Sequence, residues 1–173
     1  KMMEVDSCEG DDIIAILSKS IGGKHIVVSS DHDFFQLHSD RVSQWCPRTK
    51  QMIVCEDPAR ELVRHVMRGD SGDGVPNFLS DDDVFISDKR QKPLYEKKLK
   101  EWIELPLNTF CTDEMIRNYE RNKTLIDFSR IPKRIEDAIL QEYSVPPEGS
   151  RAKILTYMMD NNMKLMLEHL QEF

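Results

Sequence analysis

The stretch Gly22-Gly23-Lys24-His25-Ile26-Val27-Val28-Ser29-Ser30-Asp31-His32-Asp33-Phe34 decides the fold. His25–Val28 is β-branched and lies between Gly-Gly and Ser-Ser, so it reads as a buried strand. Two aspartates follow it at once. Upstream, Ile13, Ile14 and Leu17 recur at helical spacing, which predicts a helix opened by Ser7 or Glu9 and ended by Gly22-Gly23. Before that helix, Met2, Met3 and Val5 read as the end of another strand. Downstream come a short helix at Phe34–Leu37 and strands at Val42–Trp45 and Met52–Val54, joined by a turn from Pro47 to Lys50. Pro58 suits the first turn of a helix running to about Arg68. Alternating strands and helices predict an α/β fold: a mostly parallel sheet flanked by helices, with a right-handed crossover.

After Gly69 the character changes. Gly72, Gly74 and Pro76 make a loop, and every periodic segment from Pro93 onward looks helical: Tyr95–Ile103, Asp113–Asn122, Ile135–Glu142, Arg151–Met159 and Lys164–Gln171. The expected division is therefore an α/β part at residues 1–68 and a helical part at 69–173. The 173 residues suffice for one core and a satellite subdomain. A hydrophobic content of 39% with 32% charged residues excludes a disordered chain. No apolar run approaches the roughly 20 residues of a membrane span, so no membrane association is expected. The four cysteines are scattered without a Cys-x-x-Cys pair, which argues against zinc or a disulfide framework and for a reducing, cytoplasmic setting.

The net charge of −7 at first argues against a nucleic-acid partner, but its distribution matters more. Residues 1–90 hold 17 acidic and 11 basic side chains, against 14 and 13 in residues 91–173. The excess is concentrated in three clusters: Glu9-Gly10-Asp11-Asp12 at a helix start, Asp31-x-Asp33 after the strand, and Asp70 with Asp73 in Gly69–Gly74. Ligands of a parallel sheet bind beyond the carboxyl ends of its strands, so the first two clusters are expected to face one crevice. Converging carboxylates repel unless cations or protons compensate. Oxygen donors favour Mg2+ or Mn2+, and two such ions about 4 Å apart suit phosphodiester hydrolysis by activated water. Each cluster also has a plainer reading: helix capping for Glu9, Asp11 and Asp12, a loop for Asp31 and Asp33, a Gly-Asp turn for Asp70 and Asp73. Their joint occurrence in this order favours the metal site. Asp81-Asp82-Asp83 is read as a solvated loop.

Glu9-Gly10-Asp11-Asp12, Ser30-Asp31-His32-Asp33-Phe34-x-Gln36-Leu37 and Gly69-Asp70-x-x-Asp73-x-Val75-Pro76 together resemble the flap endonuclease / 5′-nuclease superfamily. Within it the chain is most similar to the RNase H branch of T-even bacteriophages, through Gln44-Trp45-x-Pro47, Leu125-Ile126-Asp127-Phe128, Ile131-Pro132, Pro146-Pro147-x-Gly149 and Glu172-Phe173. The resemblance implies a PIN/5′-nuclease-like domain followed by a helix–three-turn–helix element and a helical C-terminal subdomain. It implies a magnesium-dependent 5′-nuclease that removes RNA primers and 5′ flaps from duplexes in replication. Carried over by position, Glu9, Asp11 and Asp31 resemble ligands of the first metal, and Asp33, Asp70 and Asp73 the shell of the second. Glu9, Asp11, Asp31 and Asp33 are the catalytic candidates. Gly69, Gly72, Gly74 and Val75 would contact the duplex backbone. Replication proteins such as a single-strand-binding protein or clamp are expected partners of a monomer. The family's first strand with its aspartate, a second early aspartate and the basic arch helices have no counterpart here, and the start at Lys1 reads as internal. The fragment alone is therefore expected to be incomplete, and a non-catalytic DNA-binding or scaffold module is the alternative. The run Val75-Pro76-Asn77-Phe78 departs from the Gly-Ile-Gly turn of many members.

Lys97, Lys98 and Lys100, with Lys89, Arg90 and Lys92, form the most basic stretch: a solvated face or a duplex-backbone contact. His25, His32, His38, His65 and His169 show no ligand spacing and are read as structural or exposed. Met158, Met159, Met163 and Met166 are expected to pack a helical core, and Trp45 and Trp102 are expected to be core residues, with base stacking as the weaker reading.

Overall fold

The computed structural model describes residues 1–87, 89–147 and 151–172; Gly149 and Phe173 lie outside them. Helix α1 spans Gly10–Ser20. Glu9 caps it with extended backbone, and the Asp12 carboxylate accepts the Glu9 N–H at 3.1 Å. Ile16 on its inner face packs against Ile135 and Ile139 of the later helix Lys133–Ser144. Met3 and Val5 join that contact, so residues 2–5 are irregular chain laid against helices rather than the expected strand. Apolar side chains seated between two helices leave the backbone no ladder to join.

Three strands follow: β1 His25–Val28, β2 Val42–Cys46 and β3 Gln51–Ile53. β1 pairs with β2 in parallel, His25 opposite Val42, whereas β2 pairs with β3 antiparallel, Trp45 opposite Met52. The sheet is therefore mixed, not mostly parallel: the turn after Cys46 is too short for a crossover and returns the chain as a hairpin. Nor is β1 fully buried. Val27 lies inside, but Ile26 and Val28 are 64% and 63% exposed. Side chains alternate across a strand, and among the described residues only one face of β1 is covered. That covered face is apolar around Val27, Phe34 and Val42.

Helix α2, Pro58–Arg68, begins where the Asp57 carboxylate accepts the Arg60 N–H at 3.0 Å, with Pro58 in its first turn. Turns and one isolated bridge, Asp70 to Val75, lead to α3 (Glu96–Trp102), α4 (Asp113–Ile126) and α5 (Lys133–Ser144). Helices α6 (Arg151–Asp160) and α7 (Lys164–Leu167) end the chain. Val66 and Met67 of α2 pack on Val75, Phe78, Leu99, Tyr119 and Ile126, with Trp102 stacked on Phe110 at 5.0 Å. The central cluster thus straddles position 68, where the two parts were expected to meet. Of the expected methionine core, Met158 is buried while Met159 and Met166 are exposed. Adjacent residues on a helix point about 100° apart, so Met158 and Met159 cannot share a face. Among the described residues, no helix is long and apolar enough to cross a membrane.

Buried amides fix the loop after α2. Asn122 Nδ2 donates to the carbonyls of Val66 and Pro76, both at 2.8 Å. Asn118 Nδ2 donates to Ser80 O at 3.0 Å, and Asn77 holds Leu79, Ser80 and Lys92. Asp82 pairs with Arg121 and Arg117, and Asp83 with Lys89. The 81–83 run is thus partly an ion-paired brace rather than simply solvated.

Candidate metal centre

Asp31 stands three residues beyond the end of β1 at Val28 and is held from beneath. Gln44, buried in β2, donates its amide to the carbonyls of Ser29 at 2.9 Å and Asp31 at 2.7 Å, while its Oε1 lies 3.1 Å from His38 Nε2. The Asp31 carboxylate accepts the Asp33 N–H at 3.1 Å, which folds the chain into the 3-10 turn Asp33–Leu37. That turn is tied to the far side of the molecule by Gln36, which donates to Ile126 O and accepts from Phe128 N. Asp33 is therefore rigidly placed.

The third cluster is set by Gly69, whose φ of 67° and contact with the chain exclude a side chain: a Cβ would lie 2.5 Å from the carbonyl oxygens of Val75 and Pro76. Asp70 follows, one carboxylate oxygen accepting the Gly72 N–H at 2.8 Å. Its other oxygen faces His65 Nε2 at 3.5 Å, and His65 Nδ1 faces Asp33 at 3.4 Å.

Two adjoining cavities share Asp33. One, of about 390 Å³, is lined by Asp31, Asp33, Asp70, His65, Arg64 and Arg68 among others. The second, of about 150 Å³, is lined by Glu9, Asp11, Asp12, Asp33, Asp73 and residues of the α4–α5 connection. All six carboxylate candidates thus line one or other of two cavities that share Asp33. Asp73 lines the smaller cavity with Glu9 and Asp11, and Asp31 and Asp70 line the larger, while Asp31 is also the foremost charge repelling Asp11. Asp12 is engaged in capping, as its plainer reading has it.

Electrostatics records the crowding. Burial, then repulsion from Asp31, Glu9, Asp12 and Asp73, raises Asp11 above the ordinary carboxylate range. Asp33 is pushed up to about 6, first by burial; His65 pulls it back, and Asp31, Asp70 and Asp11 push it further. Such a donor set suits divalent cations, because it gathers more negative charge than nearby basic groups offset. Arg64 and Arg68, the other basic lining residues, are paired with Glu61 and Glu96.

His65 is the participant missed in the sequence, where no ligand spacing marked it. Asp33, His65 and Asp70 each offer an atom, and these lie within 4.8 Å of one another. The available signal was its position: one helical turn before Gly69-Asp70, in the last turn of an amphipathic helix. Of the basic candidates, Lys97, Lys98 and Lys100 are exposed, with the Lys98 ammonium 5.3 Å from the Trp102 ring. Gly72, Gly74 and Val75 lie in the turn beyond Asp70, with Gly74 at a φ of 74° and Val75 turned inward.

Residues 57–173 match the family model described as T4 RNase H, C terminal. The chain belongs to this family. It is 28% identical to ribonuclease H of Enterobacteria phage T4 over 186 aligned residues, covering 99% of the chain and 60% of that relative. It is 36% identical to flap endonuclease Xni of Shewanella piezotolerans over 85 residues, 43% of this chain and 33% of the relative. The crystal structure of the T5 D15 protein co-crystallized with metal ions superposes with a TM-score of 0.53 at 18% identity, over 80% of this chain and 60% of that one. At that identity the likeness speaks for the fold. The chain spans about 60% of the length of ribonuclease H of phage T4.

Proposed function

We propose that this RNase H family chain supplies most of the acidic floor of a divalent-metal-dependent 5′-nuclease acting on RNA primers and 5′ flaps in duplex nucleic acid. The observation that carries the reading is the meeting of Glu9, Asp11, Asp31, Asp33, Asp70 and Asp73 around cavities that share Asp33. A non-catalytic scaffold would leave that costly convergence without a use. The relatives' names as ribonuclease H and flap endonuclease supply the substrate class, and the metal ions crystallised with the D15 protein agree with the donor set. On this reading the chain would act in the cytoplasm of a host cell, alongside replication proteins such as a single-strand-binding protein or clamp.

In this reading Asp11, Asp31 and Asp33 hold magnesium, or manganese, with Glu9, Asp70 and Asp73 completing two positions directly or through water. Bound there, the ions would supply an activated water and stabilise the leaving oxygen of the phosphodiester. The protein's own part is placement. Gln44 fixes the Asp31 carbonyl, Gln36 fixes the Asp33 turn, and Gly69 lets Asp70 approach His65. Residues 1–68 carry most of the acidic wall. The turn at Gly69, Gly72, Gly74 and Val75, followed by Lys97, Lys98 and Lys100 on α3, would seat the duplex backbone, where phosphate contacts supply most of the affinity.

The test is cleavage of a 5′-flap duplex and an RNA–DNA duplex by the full-length enzyme, with Mg2+ and with chelator. Asp31→Asn is expected to reduce metal-dependent turnover ~100-fold or more while circular dichroism stays unchanged. Retained turnover would refute the assignment.

A further inference from the structure

The divalent-ion reading above treats the site as an all-oxygen one, but an imidazole stands inside it. On the basis of that reading, we infer that His65 is a direct ligand of one bound ion. It would bias that position toward first-row transition ions such as Mn2+ over Mg2+.

Three observations carry the inference. First, the His65 ring lies between two carboxylates, with Nδ1 3.4 Å from Asp33 and Nε2 3.5 Å from Asp70. Charge-assisted hydrogen bonds are shorter, about 2.7–2.9 Å, so neither contact is a tight one. An ion held through one ring nitrogen would have the carboxylate facing that nitrogen as its neighbour, and one ligand atom each from Asp33, His65 and Asp70 lies within 4.8 Å of the others, as around a single ion. Second, the placement is rigid. His65 sits in the last turn of α2, its carbonyl accepts the Gly69 N–H at 2.8 Å, and the next two side chains, Val66 and Met67, are buried in the main core. Third, the other basic residues of that helix are turned to other acids: Arg60 to Glu104, Arg64 to Glu61 and Arg68 to Glu96.

The chemistry follows from the donor set. Mg2+ is hard, keeps its waters and takes oxygen ligands, so an imidazole adds little to its binding. Imidazole binds transition ions better, and the preference rises along the first row. A metal-bound imidazole usually gives its other N–H to a carboxylate. With a carboxylate opposite each nitrogen, His65 can do both.

Mn2+ binding to the intact chain tests this, followed by electron paramagnetic resonance with Mg2+ as competitor. Pulsed measurements on the Mn2+-loaded protein are expected to show coupling to one imidazole nitrogen, which requires no variant. Mn2+ should bind ~10-fold or more tightly than Mg2+. In His65→Gln, the nitrogen coupling should vanish and Mn2+ binding weaken ~10-fold or more, while Mg2+ binding moves by less than about threefold. If the wild-type chain binds Mn2+ without nitrogen coupling, or His65→Gln binds it unchanged, His65 is not a ligand and only this inference fails. If neither ion binds the wild-type chain, the divalent-ion reading fails with it.

Discussion

The loop after α2 and the strand β1 both carry acidic turns and are finished in opposite ways. The loop is sealed. Its carbonyls at Val66, Pro76 and Ser80 are taken by Asn122 and Asn118, and Val75 and Phe78 sit in the main core. The strand is open. One side carries Val27 inward, while Ile26 and Val28 face out with no covering element among the described residues. The two aspartate turns they support nonetheless meet at the larger cavity. The lesson is that buried amides fix both sides of the site: Asn118 and Asn122 on α4 for the loop, and Gln44 on β2 for Asp31.

This contrast can be broken by substitution. The largest effect is expected at Asn122. Replacing it with Ala strands two buried carbonyls, and urea unfolding should show a loss of about 3 kcal/mol; a loss below about 1 kcal/mol would mean the loop is not held this way. A smaller effect of opposite sign is expected at Asp33. Its folded pKa of about 6 lies above the ordinary carboxylate value near 4, so the fold favours its protonated form. That favourable contribution is present at low pH and lost as pH rises through about 6. Without metal, Asp33→Asn should therefore be more stable than wild type by about 1 kcal/mol at pH 7 and equal to it near pH 4. The pH series of thermal melts reads this directly, and a pH-independent gain would point to packing instead of charge. The smallest effect is expected on the open strand: Ile26→Thr should shift unfolding by no more than about 0.5 kcal/mol, as for other exposed positions. A large loss there would show that the outer face is covered in solution.

The parts of the fold written in local pattern were legible. Apolar periodicity marks α1, α2, α4 and α5 within a few residues, and Pro58 and Gly69 mark the ends of α2. Burial was less so: His25–Val28 looks like a two-sided core strand, because composition does not say how many faces are covered. Strand direction was legible only in the turn from Pro47 to Lys50, which is too short for a crossover, whereas the strand–helix alternation around it suggested a parallel sheet. Within the site, the carboxylates stand out as clusters after predicted elements. His65 does not, because its meaning comes from Asp33, which is far off in sequence and brought close by the Gln36 tie to Ile126 and Phe128. The buried amides Gln44, Asn118 and Asn122 were equally silent, being polar residues whose partners are backbone carbonyls elsewhere in the chain.

The central claim is that the crowded carboxylates await divalent cations, and the most direct measurement is thermal unfolding of the chain at neutral pH with and without Mg2+ or Mn2+. At about 100 times the dissociation constant a bound ion adds about 2.7 kcal/mol, so the melting temperature should rise by roughly 5–10 °C. The rise should disappear in Asp11→Asn/Asp33→Asn, which should itself melt higher than metal-free wild type. An unchanged melting temperature in wild type, or an equal rise in the double variant, would contradict the account.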